Sequence, residues 1–197
     1  MFAQFITMNQ RKLLLSMQVT LDGYVAGPND EMDFIDGSED EWADLAKDLE
    51  KTDTFLLGRK MYEIYSPFWQ AVLRDPGSKK EDLQYAQLAD KTRHIVFTSN
   101  KEFKPDWNNT TVLHDVREIA TLKQQPGKNI IAWGGGIFAG NLIDLGLVDE
   151  IRLGLNPTIL GEGKSLFKHL HQRRKLKLEN STELKSGLLI LRYTLQQ

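Results

Sequence analysis

The chain has 197 residues, and its 25 Lys and Arg against 27 Asp and Glu give a formal net charge of -2. Such a balance supplies no broad positive field for nucleic acid or an anionic membrane, so we expect neither partner. The absence of cysteine excludes disulfides, thiolate catalysis and thiolate zinc sites, and it fits a reducing compartment. No apolar run approaches the roughly 20 residues that a bilayer span needs.

The length predicts one domain over 11–197, preceded by a leader of residues 1–10 without regular structure. This leader carries no positive charge and no apolar core of signal-peptide length. We therefore expect a cytoplasmic protein.

The pattern of residues in the first third of the chain predicts a strand, a helix and a second strand. A buried strand over 11–19 leads into an Asp22-Gly23 turn. Ser38 and Glu41 have capping-box spacing, and an apolar stripe on the following helix consists of Trp42, Leu45, Ala46 and Leu49. A short strand over 54–57 then ends at Gly58.

After Gly58, the sequence pattern predicts a helical turn over 59–65 and then a long connection over 66–90. Pro67 and Pro76 are the expected breakers, and a polar helix is expected over 78–90. This connection is an insertion without an evident function.

The remaining segments alternate between strand and helix patterns. Strands are predicted over 94–98, 111–113, 129–133, 150–155, 176–184 and 188–195, and helices over 116–124 and 137–145. This alternation predicts an α/β fold of three layers, with a mainly parallel central sheet, helices on both faces and a C-terminal antiparallel hairpin.

Three predicted strand ends carry residues suited to phosphate. They are Gly134-Gly135-Gly136, Gly58-Arg59-Lys60, and Thr98-Ser99 with Lys101. Glycine lets an anion approach the main chain at a helix N-terminus, and the Arg fork suits a phosphate monoester. Each motif alone is also consistent with a plain turn or a solvated helix start, but three together predict a dinucleotide site.

These motifs, with the segments 16–27 and 156–167, carry a resemblance to the dihydrofolate reductase fold. Within it, the chain resembles the C-terminal reductase domain of riboflavin-biosynthesis proteins over almost its whole length. The resemblance implies NADPH as cofactor. Arg59, Ser99 and Lys101 would then hold the 2′-phosphate of the cofactor. Residues Gly134 to Ile137 would cradle its pyrophosphate, and Gln18 and Val25 would flank its nicotinamide.

The substrate side departs from that family. Tyr24 stands where riboflavin-type reductases carry Lys or Arg, and the helix over 39–48 is acidic, so a phosphoribosyl group lacks its expected cationic grip. Dihydrofolate reductases place a carboxylate in this helix, but their usual interval before Gly58 falls on Trp42. Capping and the helix dipole are sufficient to explain Asp40, Glu41 and Asp44. Asp22, beside the presumed nicotinamide, is the candidate catalytic residue, and Asp22 and Trp42 are the candidate substrate contacts.

Two functions from different classes remain open. The first is an NADPH-dependent reductase of a planar nitrogen heterocycle, either 5-amino-6-(5-phosphoribosylamino)uracil or a dihydrofolate or pterin. The second is a non-catalytic NADP(H)-binding or sensor protein. We expect no metal, because His169 and His171 lack a carboxylate at zinc spacing. We also expect a homodimer formed through the strand over 150–155 and the C-terminal hairpin, since edge strands need protection.

Overall fold

The structure is a computed structural model that describes residues 10–35 and 37–196. The predicted leader thus lies outside the described residues except for Gln10. Ten strands are described, namely β1 Leu13–Thr20, β2 Tyr24–Ala26, β3 Thr52–Gly58, β4 Arg93–Phe97, β5 Thr110–Leu113, β6 Asn129–Trp133, β7 Glu150–Asn156, β8 Lys164–Ser165, β9 Leu176–Glu183 and β10 Leu189–Leu195. The five described helices are α1 Glu39–Leu49, α2 Arg59–Arg74, α3 Lys80–Lys91, α4 Glu118–Gln124 and α5 Gly136–Asp144.

Eight strands form one sheet in the order β5-β4-β3-β6-β1-β7-β10-β9. The first six are parallel, while β10 pairs antiparallel with both β7 and β9. The predicted mainly parallel sheet with a C-terminal hairpin is therefore confirmed. The short strands β2 and β8, which the sequence did not predict, pair antiparallel in a second sheet.

Helices cover both faces of the sheet and create two apolar cores. Helices α4 and α5 pack with alternate β1 residues such as Leu13 and Leu15, whereas α1, α2 and α3 pack around Leu14 and Phe55. Because successive strand residues point to opposite faces, one strand contributes to both cores. The three-layer prediction is confirmed.

The prediction for the insertion was wrong in one respect. Pro67 does not end the helix that starts at Arg59, because α2 continues as far as Arg74. A proline inside a helix removes one backbone hydrogen bond. Tyr65 and Ser66 are buried beside it, and α2 packs against α3, so tertiary packing outweighs that loss. The polar helix expected over 78–90 is confirmed as α3.

The start of α1 also differs from its prediction. Ser38 is the N-cap residue, but its side chain makes no capping hydrogen bond and donates instead to Asp40 at 2.6 Å. Glu41 accepts a hydrogen bond from the Gly37 amide at 3.2 Å. The proposed capping box is thus absent, and the Glu41 side chain is directed elsewhere.

Candidate functional site

The carboxyl ends of five adjacent parallel strands meet at one edge of the sheet. In the order β4-β3-β6-β1-β7, this edge presents Thr98, Gly58, Gly134, Thr20 and Asn156 in or next to its strand ends. The three phosphate-type motifs therefore lie on neighbouring strands, as the parallel topology requires. Ligands of open α/β sheets bind at this edge.

The three glycines of the triplet have different physical reasons to be glycine. A methyl group on Gly134 would lie 3.1 Å from Cγ of Phe138, and one on Gly136 would lie 2.5 Å from the Ser165 carbonyl oxygen. Both positions are thus set by packing. A methyl group on Gly135 would meet nothing within 4 Å, and Gly135 is exposed at the N-cap of α5.

Open space at Gly135 means that an anion can reach the first amides of α5. Of the predicted pyrophosphate cradle, Gly135 is the position whose geometry favours a ligand. Ile137, in the first turn of α5, is 62% exposed and borders the same space.

The β3 end supplies the cations. Gly58 is the N-cap of α2, and its missing side chain leaves room for the Phe138 ring, whose Cγ would lie 3.3 Å from an added Cβ. Arg59 donates to Glu63 at 2.6 Å on the exposed first turn of α2. Lys60 is exposed. Exposed ion pairs of this type contribute little to stability, so Arg59 can exchange its partner at low cost.

The β4 end is partly committed to its own turn. The buried Thr98 hydroxyl accepts from the Asn100 amide at 3.1 Å, and the Thr98 carbonyl is within 2.8 Å of His114 Nδ1. Ser99 and Lys101 are exposed in the loop that follows. The geometry therefore leaves Ser99 and Lys101 accessible to a ligand and assigns Thr98 to the loop.

A polar floor, defined as Gln18, Glu41 and Asn156, lies between α1 and the ends of β1 and β7. Gln18 donates through Nε2 to Glu41, and its Oε1 accepts from Asn156 Nδ2 at 2.9 Å. Gly154 makes this arrangement possible, because an added Cβ there would lie 2.7 Å from Cδ of Gln18. Glu41 and Asn156 are buried.

The sequence interpretation assigned Glu41 to helix capping, and that assignment was wrong in its main contact. Glu41 accepts a hydrogen bond from Gln18, the residue expected beside the nicotinamide. It stands one position before Trp42, on which the interval of dihydrofolate reductases falls. Asn156 adds a second signal, because its Oδ1 is buried without a recorded hydrogen-bond partner among the described residues. A buried orphan acceptor of this kind calls for an explanation such as a bound donor.

Asp22 is occupied in holding a loop. Its carboxylate accepts hydrogen bonds from the Thr20 hydroxyl at 2.6 Å and from the Gly161 amide at 2.8 Å, with Leu160 close behind at 3.2 Å. The Thr20 hydroxyl and these amides lower the pKa of Asp22. Asp22 therefore stays ionised near neutral pH, which suits a residue that positions the loop over 156–167 and not a proton donor.

Trp42 does not share the polar floor. Its ring packs 5.1 Å from the Tyr85 ring and 5.9 Å from the Trp69 ring, and it lines a groove of about 370 Å³ between α1 and α3. Neighbouring positions on a helix point about 100° apart. Trp42 therefore does not point toward Gln18, and its role as a substrate contact stays a prediction. Val25, on β2, is buried in the core cluster that also contains residues of α4 and α5.

An ion cluster of Asp44, Asp48, Arg152 and Arg192 lies next to the polar floor. Arg152, on β7, is 1% exposed and donates from Nε and Nη2 to Asp44 at 3.1 and 3.0 Å. Arg192, on β10, donates to Asp44 and Asp48 at 3.0 Å each. The acidic face of α1 is thus explained by two arginines that the sequence reading did not connect to it. The sequence did carry a sign of this contact: β7 alternates Glu150, Arg152, Gly154 and Asn156 with apolar residues, which marks one polar face on the strand.

Within residues 10–35 and 37–196, no group of three or more His, Cys, Asp or Glu is arranged to hold a metal ion. In the same part of the chain, no helix has the length and apolar character needed to cross a membrane.

Comparisons with known proteins give the family. The model of the RibD C-terminal domain matches residues 11–190. Protein YyaP of Bacillus subtilis (strain 168), named as uncharacterized, is 33% identical over 188 residues, which are 94% of this chain and 96% of YyaP.

Solved structures agree on the fold. Dihydrofolate reductase from Enterococcus faecalis, complexed with NADP(H), has a TM-score of 0.60 at 16% identity and covers 95% of this chain and 98% of its own. A diaminohydroxyphosphoribosylaminopyrimidine deaminase/5-amino-6-(5-phosphoribosylamino)uracil reductase from Thermotoga maritima has a TM-score of 0.69 at 14% identity, covering 98% of this chain and 58% of its own. The fold is dihydrofolate reductase-like, and the chain belongs to the RibD C-terminal domain family.

Proposed function

We propose that this protein is an NADPH-dependent reductase of a planar nitrogen heterocycle. The carrying observation is the arrangement at one sheet edge: an open helix N-terminus at Gly135, the half-buried Arg59 and the exposed Lys101, and the polar floor on the neighbouring strand ends. The candidate substrates are 5-amino-6-(5-phosphoribosylamino)uracil and a dihydrofolate or pterin. A cytoplasmic location remains part of this proposal.

The described residues fit NADPH. The space over Gly135 accepts a pyrophosphate that a side chain would block, and Arg59, Ser99 and Lys101 can surround a 2′-phosphate with charge-assisted donors. When bound, the cofactor supplies the hydride. Gln18 and Val25 are the residues that the resemblance puts beside the nicotinamide, and the loop that Asp22 holds would exclude water from that end of the cleft.

Glu41 is the residue we assign to the substrate. A carboxylate accepts hydrogen bonds from the ring N–H and amino groups of a nitrogen heterocycle, and burial next to Gln18 makes such bonds stronger than in water. It stands in α1 one position before Trp42, where the usual interval of dihydrofolate reductases puts their carboxylate. Gln18 and Asn156 add an amide donor and an orphan acceptor to the same surface.

One observation favours the alternative of a non-catalytic NADP(H)-binding or sensor protein. The Gln18 amide already donates to Glu41 and so satisfies part of the carboxylate that a substrate would use. A substrate must then displace this hydrogen bond or bind Glu41 beside it. A protein that binds only the cofactor would keep the bond unchanged.

Thermal unfolding and NADPH oxidation separate the two candidates. NADPH should raise the melting temperature under both, and consumption of NADPH on addition of dihydrofolate or the uracil nucleotide should occur only with the reductase. Glu41→Gln should lower that consumption without reducing the NADPH-dependent rise, and Glu118→Gln on the distant helix α4 serves as the matched control. Binding of NADPH without consumption of either heterocycle would favour the sensor, and no NADPH-dependent rise would refute both.

We also propose a homodimer through the sheet face formed by β7, β10 and β9. This face carries Leu153, Leu191 and Tyr193, which are half-buried, and Leu176 and Leu178, which are 39% and 50% exposed. Contiguous apolar surface on a sheet edge commonly marks an interface. Light scattering at micromolar concentration should give a dimer mass, and Leu178→Lys should give a monomer. A monomeric wild type would refute this proposal.

A further inference from the structure

The charges beside the polar floor determine what kind of substrate can lie there. Arg152 stands two residues before Gly154 on β7, and Arg192 is opposite Arg152 on β10. These arginines follow the same sheet face as Gln18, so by position they are the natural candidates to hold an anionic substrate group.

Both arginines are committed to aspartates. Asp44 accepts from both at 3.0 Å, and Asp48 accepts from Arg192 at 3.0 Å. The cluster therefore pairs two arginines with two aspartates, and the exposed Lys47 adds an ion pair with Asp44 at 3.7 Å. Because Arg152 and Asp44 are both buried, turning Arg152 toward a phosphate would break a buried ion pair, which is strongly unfavourable. Turning Arg192, whose side chain is 24% exposed, would take from Asp48 the arginine that donates to it. The cluster is a closed structural unit.

Two further carboxylates stand beside the floor residues: Asp40 precedes Glu41 in α1, and Asp22 follows Thr20, which is opposite Asn156. Asp40 accepts from the Ser38 hydroxyl and from the Lys185 backbone amide at 3.0 Å, and both interactions lower its pKa. Asp22 likewise accepts from a hydroxyl and from loop amides. Hydroxyls and amides orient a carboxylate but do not neutralise its charge, so two ionised groups flank the floor.

We propose that the substrate is an unphosphorylated heterocycle, neutral or cationic, and that a phosphoribosyl nucleotide is disfavoured by the closed arginine cluster and the flanking carboxylates. This inference rests on the proposed reductase function. Among the candidate substrates it disfavours the phosphoribosyl nucleotide and also dihydrofolate, whose glutamate carries two carboxylates, and it favours an unconjugated pterin or the unphosphorylated ribosylaminouracil. A phosphate dianion in this cleft would meet like charges and find both neighbouring arginines occupied. A neutral ring or nucleoside would meet hydrogen-bond acceptors.

Calorimetric titration of the full-length protein saturated with NADP⁺ tests the inference. The probes are 5-amino-6-(ribosylamino)uracil and its 5′-phosphate, which differ only in the phosphate group. We expect the unphosphorylated compound to bind at least about tenfold more tightly. Equal or tighter binding of the 5′-phosphate would overturn the inference, and so would a failure of both compounds to bind.

Two variants of the first turn of α1 give a matched comparison. Asp40→Lys should reduce the affinity ratio between the unphosphorylated compound and its 5′-phosphate by about threefold or more, because a cation replaces a flanking carboxylate. Glu39→Lys makes the same charge change at an exposed position that lines the groove between α1 and α3 and not the floor. It should leave the affinity ratio of the two compounds unchanged. An identical preference in both variants would contradict the electrostatic cause. The proposed function fails separately, when NADPH does not raise the melting temperature.

Discussion

Substitution of Gly134 and Gly135 by alanine separates packing from ligand binding in the glycine triplet. A methyl group on Gly134 would press into the Phe138 ring, which is 6% exposed and cannot move freely. Overpacking of this kind costs about 1–3 kcal/mol. A loss of about 2 kcal/mol lowers the melting temperature of a chain this long by about 4–8 °C.

Gly135→Ala should behave in the opposite way. Its φ of -75° and ψ of 172° are accessible to any residue, and the added methyl group meets no atom within 4 Å. We therefore expect stability to change by less than about 0.5 kcal/mol, as for ordinary surface substitutions. The methyl group would, however, fill the space over the first amides of α5. NADPH should bind about tenfold more weakly, which is about 1.4 kcal/mol.

Thermal unfolding of both variants without ligand, and calorimetric titration with NADPH, provide the readouts. Gly134→Ala should show the lower melting temperature and Gly135→Ala the weaker binding. If Gly135→Ala binds NADPH like the wild type, the open space at the N-terminus of α5 is not where the pyrophosphate lies. If Gly134→Ala unfolds at the wild-type temperature, the packing explanation for that glycine is wrong.

Three further predictions concern single side chains. Arg59→Ala should weaken NADPH binding by about 1–3 kcal/mol and NADH binding much less, since only NADPH has the 2′-phosphate; equal losses in titrations would show that Arg59 does not contact it. Burial lowers the pKa of His94 from 6.5 to about 4. The contribution of the neutral His94 to the free energy of unfolding is therefore complete above pH 6.5 and is lost as the pH falls toward 4. Urea unfolding should show about 3 kcal/mol of lost stability over that interval, and His94→Gln should show a much flatter profile. Asp44→Asn should cost about 3–5 kcal/mol in the same assay, because it leaves the buried Arg152 without its closest carboxylate; a cost below 1 kcal/mol would show that the cluster is not a closed unit.

The sequence by itself determined the sheet and its ligand edge. Period-two and continuous apolar runs marked the main strands, and their alternation with helices required a mainly parallel sheet. Parallel strands bring their carboxyl ends to one edge, so Gly58, Thr98 and Gly134 had to be neighbours. The strand over 129–133 was predicted at its observed bounds, because apolar residues and the glycine triplet delimit it clearly.

Only the tertiary structure decided the roles of individual side chains within that frame. Ser38 and Glu41 match a capping box in sequence, but the neighbouring β1 strand offers Glu41 the Gln18 amide. The acids of α1 resemble a solvated face until β7 and β10 bring Arg152 and Arg192 against them. Pro67 signals a helix end, yet the packing of α2 against α3 outweighs one missing hydrogen bond. Local pattern records each residue's own preferences, whereas these outcomes depend on partners 23 to 148 residues away in the sequence or on a neighbouring helix.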